Sequence, residues 1–342
     1  MVKKRLANGE PCRKCVQAEE LLKRRGLWGY VEDVVWAIEG DPNSSGHQLA
    51  RQYGLDQAPF FLVHLDGQGT RAYANVLQLV REHFDSAPTC EAPAIDVQAV
   101  DGLALDYANR PPEAIVRWAL DRFGAGCALA FSGAEDVVLI DMAARTGLPF
   151  SVFTLDTGRL HPETYRFIED VRARYGISIE LVSPDHNELE PFVRTKGLFS
   201  FYEDGHQECC RIRKVAPLER TLERFCAWAT GQRRDQSPTR AGVPVFQVDS
   251  SFQGKQGPLL KVNPLARWTS AQVWQYIRDN DVPHNPLHDQ GFLSIGCSPC
   301  TRAIAPGQHE REGRWWWEQA TERECGLHSA TPPAPAAPPA AE

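Results

Sequence analysis

Residues 127–182 alternate with a regularity that leaves few architectures open. CALAFS (127–132), FSVFTLD (150–156) and ISIELV (177–182) read as strands, with VVLIDMAARTG (137–147) and PETYRFIEDVRARYG (162–176) between them as helices. Neighbouring parallel strands need long crossover connections, so this pattern implies an α/β fold with a parallel sheet covered by helices. In such folds the loops leaving the strands at their C-terminal ends border the ligand crevice. SGAEDV (132–137) leaves the first strand and opens a helix, so the N–H groups of Ser132 and Gly133 are expected to face an anion. On its own a bland strand-to-helix turn would read the same way. LDTGRLHPETY, starting at Leu155, leaves the next strand and should border the same crevice.

The chain ahead of this region has its own pattern. VKKRLA (2–7) reads as a strand, VQAEELLKRRG (16–26) as a helix, YVEDVVWAI (30–38) as β-rich and PNSSGHQLARQYG (42–54) as a helix start. Ala58-Pro59, the strand FFLVHL (60–65), a Gly-rich turn and the helix ANVLQLVREHF (74–84) follow. The expected organisation is a first domain over 1–85, a Pro/Ala-rich linker over 86–100, a larger domain over 101–328 and a disordered tail over 329–342, where SATPPAPAAPPAAE has nothing to bury. Within the larger domain, helices are expected near 213–229, strands at VPVFQVD (243–249) and LLKVNPL (259–265), and a helix at SAQVWQYIRDN (270–280).

The net charge of -7 argues against a nucleic-acid partner while leaving room for a local basic pocket. No apolar run approaches the roughly 18 residues of a membrane span. The basic start MVKKRLANGEP lacks the apolar stretch of a secretory signal. Ten cysteines without an export signal point to redox or metal chemistry in a reducing, cytoplasmic setting. A homo-oligomer is compatible with the sequence and not required by it.

Two of those cysteines, Cys12 and Cys15, flank Arg13 and Lys14 just before an amphipathic helix. A helix N-terminus and nearby cations favour a thiolate, which makes Cys12 the attacking sulfur and Cys15, one turn on, the resolving one. Half of a zinc site is the alternative, although no second Cys/His pair lies in this segment. The order of elements, with Ala58-Pro59 ahead of a strand, resembles the thioredoxin/glutaredoxin family. That resemblance implies a cis proline facing the dithiol.

Four more form a quartet. Cys209 and Cys210 are adjacent, too close along the backbone for an unstrained mutual disulfide, and Cys297 and Cys300 lie in GCSPC. Four thiolates suit a tetrahedral zinc or a 4Fe-4S cluster. Adjacent cysteines strain a single tetrahedron, whereas a cluster takes one thiolate at each of four corners. Four buried cysteines acting as small hydrophobes is the bland alternative. Cys127 reads as core, Cys226 falls in the expected helix and Cys90 in the linker.

SGAEDV, LDTGRLHPETY, ECCRIRKVAPL, GQRRDQS, GCSPC and ECGLH, in this order, resemble the assimilatory adenylyl-sulfate reductases over nearly all of residues 100–328. The resemblance implies an adenine-nucleotide α-hydrolase-like fold and a 4Fe-4S cluster on the quartet. It implies reduction of adenylyl sulfate (APS) to sulfite and AMP through an S-sulfonate on Cys325 of ECGLH. His328 is placed to orient or deprotonate that thiol. Lys214, Arg213, Arg233, Arg234, Arg240, Arg311 and Arg314 are the expected cations for the substrate's two anionic groups, with Lys214 coupling cluster and sulfate. The front dithiol would deliver electrons drawn from glutathione or another thiol. Trp315, Trp316 and Trp317 either stack on adenine or pack the C-terminal segment onto the body. Two rival readings are an iron–sulfur tRNA-thiolating enzyme of the same superfamily and a non-catalytic redox sensor.

Overall fold

A computed structural model of the chain describes residues 1–24, 27–65, 69–83 and 95–318. Two compact units result, Met1–Ala87 and Pro88–Glu342.

The first unit runs β1 (Val2–Arg5), α1 (Arg13–Arg24), β2 (Val35–Ile38), α2 (Ser45–Tyr53), β3 (Phe61–Leu65), β4 (Gly69–Tyr73) and α3 (Val76–His83). β1 and β2 pair in parallel, joined through α1, and β3 and β4 form an antiparallel hairpin. Val2 bridges to Phe60 in the antiparallel sense, which sets β1 beside the start of the hairpin. The Ala58–Pro59 bond is cis. Val2, Ala18, Leu22, Phe60, Phe61, Tyr73 and Val80 are buried, so the apolar faces of α1 and α3 close on the strands.

The second unit opens with α4 (Val100–Tyr107) and α5 (Pro112–Phe123), separated where Pro111 and Pro112 stop one helix and start the next. Then come β5 (Cys127–Ala130), α6 (Ala134–Thr146), β6 (Ser151–Leu155), α7 (Pro162–Tyr175), β7 (Ile179–Val182) and α8 (His186–Lys196). α9 (Gln207–Cys210), a π turn (Arg211–Val215) and α10 (Ala216–Leu222) follow without a break. β8 (Ala227–Ala229), β9 (Phe246–Gly254), β10 (Gly257–Val262) and α11 (Ser270–Asp279) complete it.

The six strands lie in the order β7-β6-β5-β8-β10-β9, all neighbours parallel except β9 against β10. The chain builds outward from β5 to β7 on one side and places β8 on the other. The order therefore reverses between β5 and β8, where a ligand crevice is expected. Val137 through Ile140, together with Met142 and Ala143, are almost wholly buried, which makes α6 a core helix. Cys127 is core as expected, with no exposure.

Two expectations need correction. The helix after the cysteine pair ends at Leu222, not near 229, and Ala227–Ala229 is a central strand. Three residues buried on both faces carry no alternation that would reveal them in sequence. Cys226 consequently precedes a strand, its N–H donating to Gly126 O at 3.1 Å. Cys90 and the tail over 329–342 lie outside the described residues. Among the described residues no helix is long and apolar enough to cross a membrane.

In the first unit Gly46 permits α2 to lie on β2: a Cβ there would stand 2.3 Å from Ala37 N and 2.5 Å from Trp36 C. Backbone cannot yield as a side chain would. Gly46→Ala should therefore destabilise this unit by about 1–3 kcal/mol, read as a lowered Tm; an unchanged Tm would mean that α2 does not sit this close.

Candidate active site

At the switch between β5 and β8 the structure holds a cavity that opens to solvent. Ser132, Gly133, Leu155, Lys214, Arg240, Arg311 and Arg314 line it, all singled out from sequence. The head of α6 forms one wall. There the N–H groups of Ser132 and Gly133 face a carboxylate of the chain itself. Both donate to Asp136 Oδ2, at 2.8 and 3.0 Å, and the Ser132 hydroxyl donates to the same oxygen at 2.9 Å. Asp136 Oδ1 accepts from Gly231 N–H at 2.9 Å, which ties the loop after β8 to the loop after β5. Burial, then the neighbouring Glu135, pushes the Asp136 carboxyl up to about 6 despite these donors.

Three expected anion-binding cations are placed elsewhere. Arg233 is 1% exposed and gives its guanidinium to Glu135, Glu310 and Asp235. Burial alone would raise the Glu135 carboxyl, but Arg233 and the Gln236 amide hold it below its ordinary range. Arg234 is exposed and donates from Nε to Val243 O at 2.8 Å. Arg213 donates from Nη1 to Thr157 O at 2.6 Å and turns toward the cysteines. Sequence reasoning missed Glu135, Asp136 and Gln236. All three lie inside motifs it had quoted, but a buried acid in a crevice expected to be cationic gave no signal.

Arg240 reaches Gln236 Oε1 at 2.6 Å, and Arg314 lies against Ser294 and Ile295 O. Gly296 leaves room for that guanidinium, since a Cβ would meet Arg314 Nη2 at 2.3 Å. The Arg314 guanidinium also covers the Trp315 ring at 4.5 Å.

A second, smaller cavity is lined by Cys209, Cys210, Cys297 and Cys300, each less than a tenth exposed. The pair on the helix and the pair in GCSPC are thus brought together. Arg159, Arg213 and Lys214 supply cations at its wall, and Phe201, His206 and Trp315 close it. Cys297 is held well below the usual thiol range, first by the hydrogen bond from Cys300, against burial, and then by Lys214 and Thr157, whose hydroxyl is 3.2 Å away. Cys300 is pushed up correspondingly, and burial raises Cys209 against the pull of Arg213. Arg159 Nη1, Arg213 Nε and Trp315 Nε1 are buried donors without a partner among the described residues. No three donors among the described residues converge closely enough to share one metal ion. Four sulfurs around one cavity, with cations and idle donors beside them, could hold an anionic thiolate-bound group.

Lys214, Cys297 and Trp315 line both cavities. Trp315 is fully buried, stacked on His206 at 4.3 Å, and Trp317 packs edge-on against Tyr202. The run therefore packs the C-terminal segment onto the body. Trp315, backed by His206, belongs to the wall between the cavities.

In the first unit, Cys12 precedes α1 and its carbonyl accepts from Cys15 and Val16 N–H. Its sulfur lies 2.9 Å from that of Cys15. Cys15 is fully buried, and burial followed by contact with Cys12 pushes its thiol up to about 12 against the Lys4 N–H. Cys12 is the more accessible sulfur. Cys325 and His328 lie outside the described residues.

Residues 126–303 match the family described as the phosphoadenosine phosphosulfate reductase domain. The chain is 55% identical over 249 residues to a Pseudomonas aeruginosa protein named adenosine 5'-phosphosulfate reductase, covering 72% of this chain and 91% of that one. It is 56% identical over 242 residues to 5'-adenylylsulfate reductase 1, chloroplastic, of Arabidopsis thaliana, covering 70% of this chain and 52% of the plant protein. A crystal structure of phosphoadenylyl-sulfate reductase from Candida auris matches with a TM-score of 0.52 at 28% identity, covering 62% of this chain and all of that one.

The Asp136 carboxyl, raised from 3.8 to about 6, makes the folded state hold this proton more tightly than the unfolded one. Its contribution to stability is complete below the unfolded value and lost as pH rises through the folded one. Across that window the stability of wild type minus Asp136→Asn should fall, by an amount on the order of 2–3 kcal/mol. Denaturant titrations at a series of pH values measure it, and a flat difference would contradict the assignment.

Proposed function

The chain belongs to the phosphoadenosine phosphosulfate reductase family, and on that premise we propose how it carries out its reaction, the reduction of adenylyl sulfate to sulfite and AMP in sulfate assimilation. The observation that carries the reading is the shared wall of the two cavities, with Lys214 in it. The nucleotide occupies the larger cavity with its sulfuryl end toward Lys214, Arg311 and Arg314. Preorganised cations at that end stabilise the charge that moves onto the phosphate oxygen as the sulfur–oxygen bond breaks.

The Cys325 thiolate attacks the sulfuryl sulfur, and AMP departs with the electron pair of the broken bond. His328 orients or deprotonates the thiol. The product is a Cys325 S-sulfonate. In the thioredoxin-like first unit, the Cys12 thiolate then attacks Cys325 Sγ, and sulfite leaves with the electron pair of the sulfur–sulfur bond. Cys15 displaces Cys325 from the mixed disulfide, which leaves Cys12 and Cys15 oxidised and Cys325 restored. Glutathione or another small thiol returns two electrons to the dithiol. The accessible Cys12 and the buried, proton-retaining Cys15 support these separate roles.

Cys209, Cys210, Cys297 and Cys300 would hold a 4Fe-4S cluster. When bound, it supplies a fixed charge that polarises the neighbouring sulfuryl group, with no net electron transfer. Arg159 and Arg213 offset the thiolate charge, and Lys214 stands between that charge and the substrate. Neither the tRNA-thiolating nor the sensor reading draws support from relatives named as adenylyl-sulfate reductases.

Incubation with adenylyl sulfate without thiol should add one sulfite-sized mass to the peptide containing Cys325 and none to Cys325→Ser. Absence of the adduct from the wild type would overturn the covalent course. Cys12→Ser should abolish glutathione-driven turnover while leaving the adduct in place. Lys214→Ala should lower kcat by about 10²–10³, measured as adduct formation in a single turnover; an unchanged rate would remove Lys214 from the reaction.

A further inference from the structure

The step proposed for the first unit sends one anion against another. The Cys12 thiolate meets a sulfur that still carries a sulfonate, and that sulfonate departs as sulfite with a second negative charge. A neutral disulfide imposes no such repulsion on the same thiolate. The charges around Cys12 therefore bear on which partner reacts faster.

β1 runs beside the dithiol, since the Lys4 N–H donates to Cys15 Sγ at 3.1 Å. Its three bases are already engaged. Lys3 is buried, with Nζ 2.5 Å from Glu19 Oε2. Lys4 Nζ lies 2.6 Å from Glu39 Oε1. The Arg5 guanidinium covers the Trp36 ring at 4.3 Å. Arg13 and Lys14, which follow Cys12 directly, differ from these. Both side chains are exposed, and neither has an ion-pair partner among the described residues. One acid, Glu10, stands on the same loop and accepts from Asn8 Nδ2 at 3.3 Å. Beside the more accessible sulfur, free bases thus outnumber acids.

Surface cations ordinarily matter little. These two lie within two residues of an attacking sulfur, where charge is redistributed during the reaction. We infer that Arg13 and Lys14 are specificity determinants of the first unit, favouring a partner that is an S-sulfonate over a neutral disulfide. The Cys12 thiolate bonds to the partner's sulfur, the sulfur–sulfonate bond breaks, and sulfite leaves with its electron pair beside the two cations. Cys15 then resolves the new disulfide as before. The same cations favour the Cys12 thiolate itself, which speeds attack on any partner. Preference between partners is a separate effect and shows only in a ratio. The inference rests on the S-sulfonate course proposed above.

The test uses the full chain with its dithiol reduced, and Cys12→Ser sets the background. S-sulfocysteine and cystine are the probes: each offers a cysteine sulfur to Cys12, and they release sulfite and cysteine respectively. Second-order rate constants for the two are measured in wild type, in the double variant Arg13→Ala with Lys14→Ala, and in Arg13→Lys. The double variant should shrink the sulfonate-to-disulfide ratio by about tenfold, while Arg13→Lys keeps it. Wild type alone gives a second reading, because its ratio should fall as salt rises from about 0.05 to about 0.5 M. A general loss of reactivity cancels in the ratio. A ratio indifferent to salt and to the double substitution overturns the inference, as does a reduced dithiol that leaves S-sulfocysteine intact. Failure of the underlying course looks different: Cys12→Ser would then retain glutathione-driven turnover of adenylyl sulfate, whatever the probe ratio shows.

Discussion

Asp136 accepts from four donors, on the loop after β5 and on the loop after β8, and the crevice exists because those two loops are held at a fixed separation. A carboxylate buried this deeply is costly unless its oxygens are saturated. Three backbone N–H groups and a hydroxyl meet that need. Gly231 is part of the same arrangement: a Cβ there would stand 2.4 Å from Glu135 Cβ and 2.8 Å from Asp136 Oδ1. The loop after β8 can approach α6 only because that residue has no side chain.

From this anchor the charges sort themselves. Arg233 gathers the acids of α6, of its own loop and of the C-terminal segment, and so fastens residues around Glu310 over the crevice. Burial of Trp315 and the His206–Glu318 contact at 2.5 Å hold the same segment against the cysteine cavity. Two independent attachments, one ionic and one aromatic, thus position Arg311 and Arg314 between them.

Much of this was legible beforehand. The strand–helix alternation over 127–182 fixed the parallel sheet, and spacing alone united Cys209 and Cys210 with Cys297 and Cys300 around one cavity. Lys214, Arg240, Arg311 and Arg314 were found because cations clustered in short motifs stand out. What was not legible has physical causes. β8 is too short and too evenly buried to show a period. Arg233 looks like Arg234 in sequence, and only the fold shows that one is enclosed by carboxylates while the other faces solvent. Ser132 and Gly133 stood where an anion belongs, but Asp136, three positions into the helix, reaches back to them first.

The π turn at Arg211–Val215 bears on all of this. Such a turn inserts one residue without completing another circuit of the axis. Side chains before and after it are therefore re-phased by roughly 100° relative to an uninterrupted α-helix. Cys209 and Cys210 precede the dislocation, and Leu218, which lines the larger cavity, follows it. One continuous rod thereby addresses two chambers in different directions, with Lys214 at the step. Removing a single residue here would leave helix and sequence composition nearly intact, yet it would turn one end of the rod away from its chamber.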